Sequence, residues 1–158
     1  MKFLADRTLG KLAKGLRMLG YDAVYFRGED LHQLLHLARQ EDRIILTRDT
    51  KLGLRRPKDR ILTIIENDPS GQLKEVVQKG CLTLNEEKLY TRCLLCNEPI
   101  EEISRDQAEG KIPDFIFHQQ KDFFRCPRCD RIYWQGSHLE NMQKKVKELI
   151  GNFKKSEI

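Results

Sequence analysis

The sequence predicts an α/β protein: a parallel sheet flanked by helices, followed by a small cysteine-bearing unit and a C-terminal helix. Three features of the chain point there. Short β-leaning runs alternate with helical apolar stripes over roughly the first half, the pattern of a parallel sheet with helical crossovers. The charged stretch Asn85-Glu86-Glu87-Lys88 then reads as a linker, which puts a first domain at residues 1–84 and a second at 91–158. Beyond it, four of the five cysteines stand in two CxxC pairs, in a unit too small and polar to build a large core without a staple.

The elements follow in order. Lys2-Phe3-Leu4-Ala5 reads as the first strand. Leu9, Leu12, Leu16 and Leu19 recur at spacings of three and four, a helical stripe that Gly20 closes where a left-handed cap residue belongs. Ala23-Val24-Tyr25-Phe26 is the second strand. Leu31, Leu34, Leu35 and Ala38 share one face of a helix over 31–40, and Ile44-Ile45-Leu46-Thr47 follows as a strand apolar enough to be buried on both faces. Ile61 to Ile65 makes a fourth strand. Asp68-Pro69 then supplies an N-cap and a first-turn proline for a helix that includes Leu73, Val76 and Val77 and ends at Gly80. In the second domain, Asp106 to Gly110 reads as a loop. Ser137 and Glu140 fit a capping box for a last helix striped by Leu139, Met142, Val146, Leu149, Ile150 and Phe153.

Composition narrows the function classes. The chain of 158 residues is 39% hydrophobic and 34% charged, with its apolar residues in periodic blocks, which argues against disorder. Its apolar runs are far shorter than the roughly 20 residues that cross a bilayer, so no membrane partner is expected. The N-terminus meets Asp6 and Arg7 before a signal-peptide core develops, so the expected compartment is cytoplasmic. A net charge of +5 permits a polyanionic partner without requiring one. The oligomeric state has no signature here.

Cys93-Leu94-Leu95-Cys96 and Cys126-Pro127-Arg128-Cys129 are the strongest local signal. Each CxxC forms a knuckle that aims two thiolates at one point, and two knuckles complete a closed tetrahedral Zn²⁺ site of structural type. Redox-active dithiols are the competing use of such pairs. Cys81 stands outside the pattern and reads as a small buried apolar residue.

The acids come next. Asp6 follows the first strand and Asp49 the third, and the carboxyl ends of neighbouring parallel strands converge on one crevice. Two carboxylates gathered there repel unless a cation joins them, and their hard oxygens suit Mg²⁺ or Mn²⁺. Helix capping is the alternative use of both residues, and of Asp30 and Asp68. Lys11 and Lys14, with Arg7 before them and Arg17 close by, lie at helical spacing on the face opposite the leucines, and Arg55-Arg56-Pro57-Lys58 forms a basic turn. These cations suit RNA phosphates, or simply a solvated helix face. His32 and His36, spaced by four without the Glu of an HExxH motif, read as surface histidines. Tyr133 and Trp134 suit either packing of the second domain on the first or the stacking of bases.

With these residues in place, the sequence resembles the RNase family named for the C-terminal domain of the Mut-seven exonuclease, a PIN-like nuclease fold fused to a zinc ribbon. The likeness runs through Lys2-Phe3-Leu4-Ala5-Asp6, Leu9-Gly10-Lys11-Leu12-Ala13, Leu16 to Asp22 and Ile45-Leu46-Thr47-Arg48-Asp49. It continues through both CxxC pairs to Tyr133-Trp134-Gln135-Gly136-Ser137-His138. The resemblance implies metal-dependent cleavage of RNA, with Asp6 and Asp49 at PIN-like acidic positions and Asp30 as the third acid. Asp68 stands where a further acid belongs and equally fits a cap. Expected RNA contacts are Lys11, Lys14, Arg17 and Arg48. Two other readings compete. A phosphate-accepting receiver domain lacks its acidic pair after the first strand and its fifth-strand lysine, and a non-catalytic zinc-ribbon RNA-binding protein would use the acids only as caps.

Overall fold

The computed structural model describes residues 1–80 and 82–136, together with Glu140, Asn141, Gln143, Lys144 and Glu148. The chain divides into two compact units, Met1–Thr83 and Leu84–Ile158. No helix of the described residues is long and apolar enough to cross a membrane.

The first unit runs β1 (Lys2–Ala5), α1 (Gly10–Met18), β2 (Asp22–Tyr25), α2 (Leu31–Gln40), β3 (Ile44–Thr47), α3 (Leu52–Arg55), β4 (Ile61–Thr63) and α4 (Pro69–Lys79). Its strands form one parallel sheet in the order β2-β1-β3-β4. Successive side chains of a strand point to opposite faces, and the core divides accordingly. Phe3, Ala5 and Leu46 pack with Leu9, Leu12 and Leu16 of the α1 stripe and with Val76 of α4. On the other face Leu4 and Ile45 meet Leu34, Leu35 and Ala38 of α2.

Helix ends follow local chemistry. Gly20 takes φ +85°, and the bonds Tyr21 N–H to Leu16 O and Gly20 N–H to Arg17 O, both 3.0 Å, close α1 in the paired arrangement that needs a left-handed residue. The fourth strand ends at Thr63 rather than at the expected Ile65. The reason is Glu75: its carboxylate takes the N–H groups of Ile65 and Glu66 at 3.0–3.1 Å, which lifts that backbone out of the ladder. Burial pushes the Glu75 carboxyl up, yet the Lys79 ammonium and these N–H donors bring it below the ordinary carboxylate range. The basic segment read as a turn begins inside a helix, since Arg55 is the last residue of α3.

The second unit carries β5 (Glu101–Ile103), α5 (Arg105–Ala108), α6 (Asp114–Gln119), β6 (Phe123–Arg125) and β7 (Ile132–Trp134). Its strands are antiparallel in the order β5-β6-β7. The segment read as a loop at Asp106 to Gly110 is largely helical, because Ser104 and Gln107 form a reciprocal capping box that starts α5. The core is small: Phe123 is fully buried, Phe117 stacks on it at 6.0 Å, and the Arg105 guanidinium lies 4.2 Å over Phe117. Glu140, Asn141, Gln143, Lys144 and Glu148 have helical backbone. Cys81, Ser137, His138 and the apolar stripe from Leu139 to Phe153 lie outside the described residues.

Candidate active site and metal centre

Strand order reverses between β1 and β3, which makes the crevice at their carboxyl ends the natural ligand position of such a sheet. A cavity of about 200 Å³ opens there, and Asp6, Asp30 and Asp49 all line it, with Glu29, Thr47 and Thr8. The sheet thus brings the three sequence-selected acids to one place. They are not packed into a single cage, however. Among the described residues, the four cysteines are the group of three or more potential metal ligands whose donor atoms lie within 4.8 Å of one another.

The acids divide by use. Asp30 is the N-cap of α2, its Oδ1 accepting from His32 N–H at 2.8 Å and Gln33 N–H at 3.4 Å. Asp68 caps α4 in the same manner, through Ser70 N–H at 3.4 Å and Gly71 N–H at 2.7 Å. Asp6 and Asp49 are not caps: the N-cap residues of α1 and α3 are Leu9 and Lys51, and neither makes a side-chain cap bond. Asp6 Oδ1 instead accepts from the Thr8 N–H at 2.9 Å and the Thr8 hydroxyl at 2.6 Å. Asp49 Oδ1 accepts from Lys51 N–H at 2.9 Å, and its Oδ2 pairs with Arg55 at 2.9 Å.

Thr47 joins the two. Its hydroxyl donates to Asp6 Oδ2 at 2.6 Å and accepts from the Asp49 N–H at 3.1 Å, and the residue is only 2% exposed. Sequence reasoning placed Thr47 at the end of a buried strand and gave it no role. The available signal was its polarity in an apolar run two residues ahead of Asp49. Thr47→Val keeps the shape and removes the hydroxyl, so it is expected to cost about 1–2 kcal/mol in thermal unfolding. Glu29 is the other omission: it lines the cavity and pairs with Arg7.

The basic residues fare unevenly. Lys11 and Lys14 are exposed on α1. Arg17 is a correction: it is 8% exposed and its Nε donates to the Ala23 carbonyl at 2.8 Å, so it ties α1 to β2 rather than facing solvent with the lysines. The helix turns by about 100° per residue, so each three-residue step drifts by about 60°, and two such steps from Lys11 carry Arg17 round to the sheet side. Arg48 is half-buried and already engaged. Its guanidinium donates to the Glu66 carbonyl and to Asn67 Oδ1, the latter at 2.7 Å, clamping the loop ahead of α4.

In the second unit Cys93, Cys96, Cys126 and Cys129 converge, with no disulfide among them. The two knuckles are built alike. Asn97 and Asp130, each next after a second cysteine, take φ of +66° and +60°. Their N–H groups return to the carbonyls of Cys93 and Cys126, both at 2.9 Å. Tetrahedral zinc with Zn–S bonds of about 2.3 Å needs sulfurs about 3.8 Å apart, and Cys93 and Cys129 stand at 3.8 Å. The donor set fits Zn²⁺. Tyr133 supports it from β7: its hydroxyl lies 3.1 Å from Cys93 Sγ and accepts from the Leu94 N–H at 3.1 Å. Burial works to raise the Cys93 thiol, but hydrogen bonds from Tyr133 and from backbone N–H groups bring it down to about 6. Burial and the neighbouring sulfurs push Cys96 up to about 12.

The family model for the Mut7-C RNAse domain matches residues 1–146 of this chain. Over 114 residues, 68% of the chain, the sequence is 32% identical to the Exonuclease mut-7 homolog of Homo sapiens, and it spans 13% of that relative's length. No solved structure matches.

Proposed function

We propose, because this chain belongs to the Mut7-C RNAse domain family, that it is a metal-dependent ribonuclease hydrolysing RNA phosphodiester bonds in the acidic cavity of its first unit. The family and the human relative support a nuclease-type function. The observation that carries the finer reading is the pair Asp6 and Asp49: neither serves a helix cap, both line one cavity, and a single buried hydroxyl links them.

Asp6 and Asp49 are the residues that would hold Mg²⁺ or Mn²⁺. Bound there, such an ion supplies an activated water and stabilises the departing oxygen. Thr47 ties the Asp6 carboxylate to the Asp49 backbone, and Arg55 pairs with the Asp49 carboxylate. Asp30 gives both cap bonds from Oδ1, which leaves Oδ2 to orient a water at the cavity wall. The cysteine unit holds a structural Zn²⁺.

The test is cleavage of labelled RNA by protein freed of exchangeable divalent ions by dialysis. Cleavage is expected on adding Mg²⁺ or Mn²⁺ and not without them; no cleavage with either ion, or equal cleavage with neither, overturns the proposal. One observation favours the non-catalytic alternative, the use of Asp30 as a cap. RNA bound but uncut with both ions selects it.

The substrate needs cations beyond the acids, and Lys11 and Lys14 on the exposed face of α1 supply them. Lys11→Glu with Lys14→Glu is expected to weaken RNA binding across sequences. If each lysine neutralises one phosphate, the log–log salt slope should flatten by about 1.4–1.8. An unchanged slope in filter binding places the phosphates elsewhere.

A further inference from the structure

The second unit carries a groove that the acidic site does not use. Its volume is about 580 Å³, within the range of roughly 300–1,000 Å³ typical of small-ligand sites, and it is lined by Trp134, Ile132, Pro113, Lys111, Arg131 and Asp130 among others. β7 is an edge strand of its sheet, and its side chains alternate. Tyr133 turns to the cysteines, whereas Ile132 and Trp134 share the opposite face and line the groove.

From this geometry we infer that the groove between β7 and the segment ahead of α6 is a stacking site for an unpaired nucleobase of a single-stranded nucleic acid, with Trp134 as the platform. The inference deepens the ribonuclease reading by naming the form of its substrate, and it rests on that reading for the choice of RNA over other planar ligands.

Three features favour that occupant. The indole is 36% exposed and shares the groove with Ile132, Ile112 and Pro113, so a planar group laid on it gains apolar contact. Gly136 lies against the indole edge: a Cβ built there would stand 3.7 Å from the Trp134 ring, so this side of the ring is bordered by backbone and not by a side chain. Lys111 and Arg131, both exposed, put two cations on the rim, where the phosphates flanking a stacked base would lie. A duplex keeps its bases stacked and paired and presents no face to such a platform, so the site selects single strands.

Trp134 is the protein's one tryptophan, so its emission reports the site directly. The zinc-loaded protein, with no Mg²⁺ or Mn²⁺ added, would be titrated with a short fluorescently tagged oligoadenylate, and binding followed both by the tag's anisotropy and by tryptophan quenching. Saturable quenching that tracks the anisotropy is expected, with none from the same strand in a duplex. Trp134→Ala should weaken binding about tenfold and Trp134→Phe much less, since a phenyl ring still stacks. Zinc content of both variants shows whether the unit remains folded, and Lys111→Glu, which leaves the core alone, should weaken binding as well. Binding without quenching, equal quenching by duplex, or full affinity in a zinc-loaded Trp134→Ala protein overturns the inference. Quenching intact in a protein that never cleaves RNA overturns the ribonuclease reading and leaves this site standing.

Discussion

Asp6→Asn combined with Asp49→Asn is expected to lower RNA cleavage by about 10³-fold, the loss of several kcal/mol of metal-borne transition-state stabilisation, while the fold survives. The local bonds explain why stability should be spared. In Asp49→Asn the new amide keeps an Oδ1 for the Lys51 N–H, and the ion pair to Arg55 that is lost is solvent-exposed, with side chains 60% and 45% accessible. In Asp6→Asn the side chain keeps an acceptor for Thr8 and turns its amide nitrogen toward the Thr47 hydroxyl, which can accept where it formerly donated. The Thr47 hydroxyl proton loses its acceptor, a cost of about 1–2 kcal/mol that the fold should survive. Circular dichroism melting of the double variant beside its cleavage rate separates the two effects: retained cleavage removes these residues from the metal site, and a collapsed melting curve shows that they serve the fold instead.

The second large effect is at Cys126, which is fully buried. Structural Zn²⁺ contributes about 10–16 kcal/mol to small folded units, and among the described residues the apolar core of this one is Phe123, Ala108 and Leu89, with Phe117 stacked on Phe123. Cys126→Ser is therefore expected to unfold the second unit, abolish zinc binding and leave the sheet of the first unit intact. Hydrogen exchange resolved by peptide, with metal analysis of the same sample, checks all three. A zinc-free variant that still protects the β6 and β7 amides would show that packing alone holds the ribbon.

Periodicity made the first unit legible. The leucines of α1, the cap and proline of α4 and the uniformly apolar β3 each have a one-dimensional signature, and the structure places these elements at or within a residue of where the sequence does. Elements set by side-chain bonds were not legible in that way. The early end of β4 depends on Glu75, which lies two turns into the next helix, and α5 depends on the Ser104–Gln107 box inside a polar stretch. At the acidic cavity, position at strand ends brought Asp6 and Asp49 forward and the family resemblance added Asp30; all three line the cavity. Their division into caps and non-caps was hidden, because Asp is equally suited to both uses and only backbone geometry decides. Arg17 illustrates a different limit. A guanidinium reads as solvated by default, yet its long stem lets it lie along apolar surface and reach the Ala23 carbonyl.

The central place of β1 bears on how the protein can be handled. All four strands of the sheet point the same way, so the amino end of β1 emerges at the edge opposite the acidic cavity. Four residue steps along the strand take Lys2 to Asp6, about 13 Å at roughly 3.3 Å per residue. A fluorescent label on the exposed Lys2 amine therefore sits on the far rim of this sheet, at the other end of β1 from Asp6.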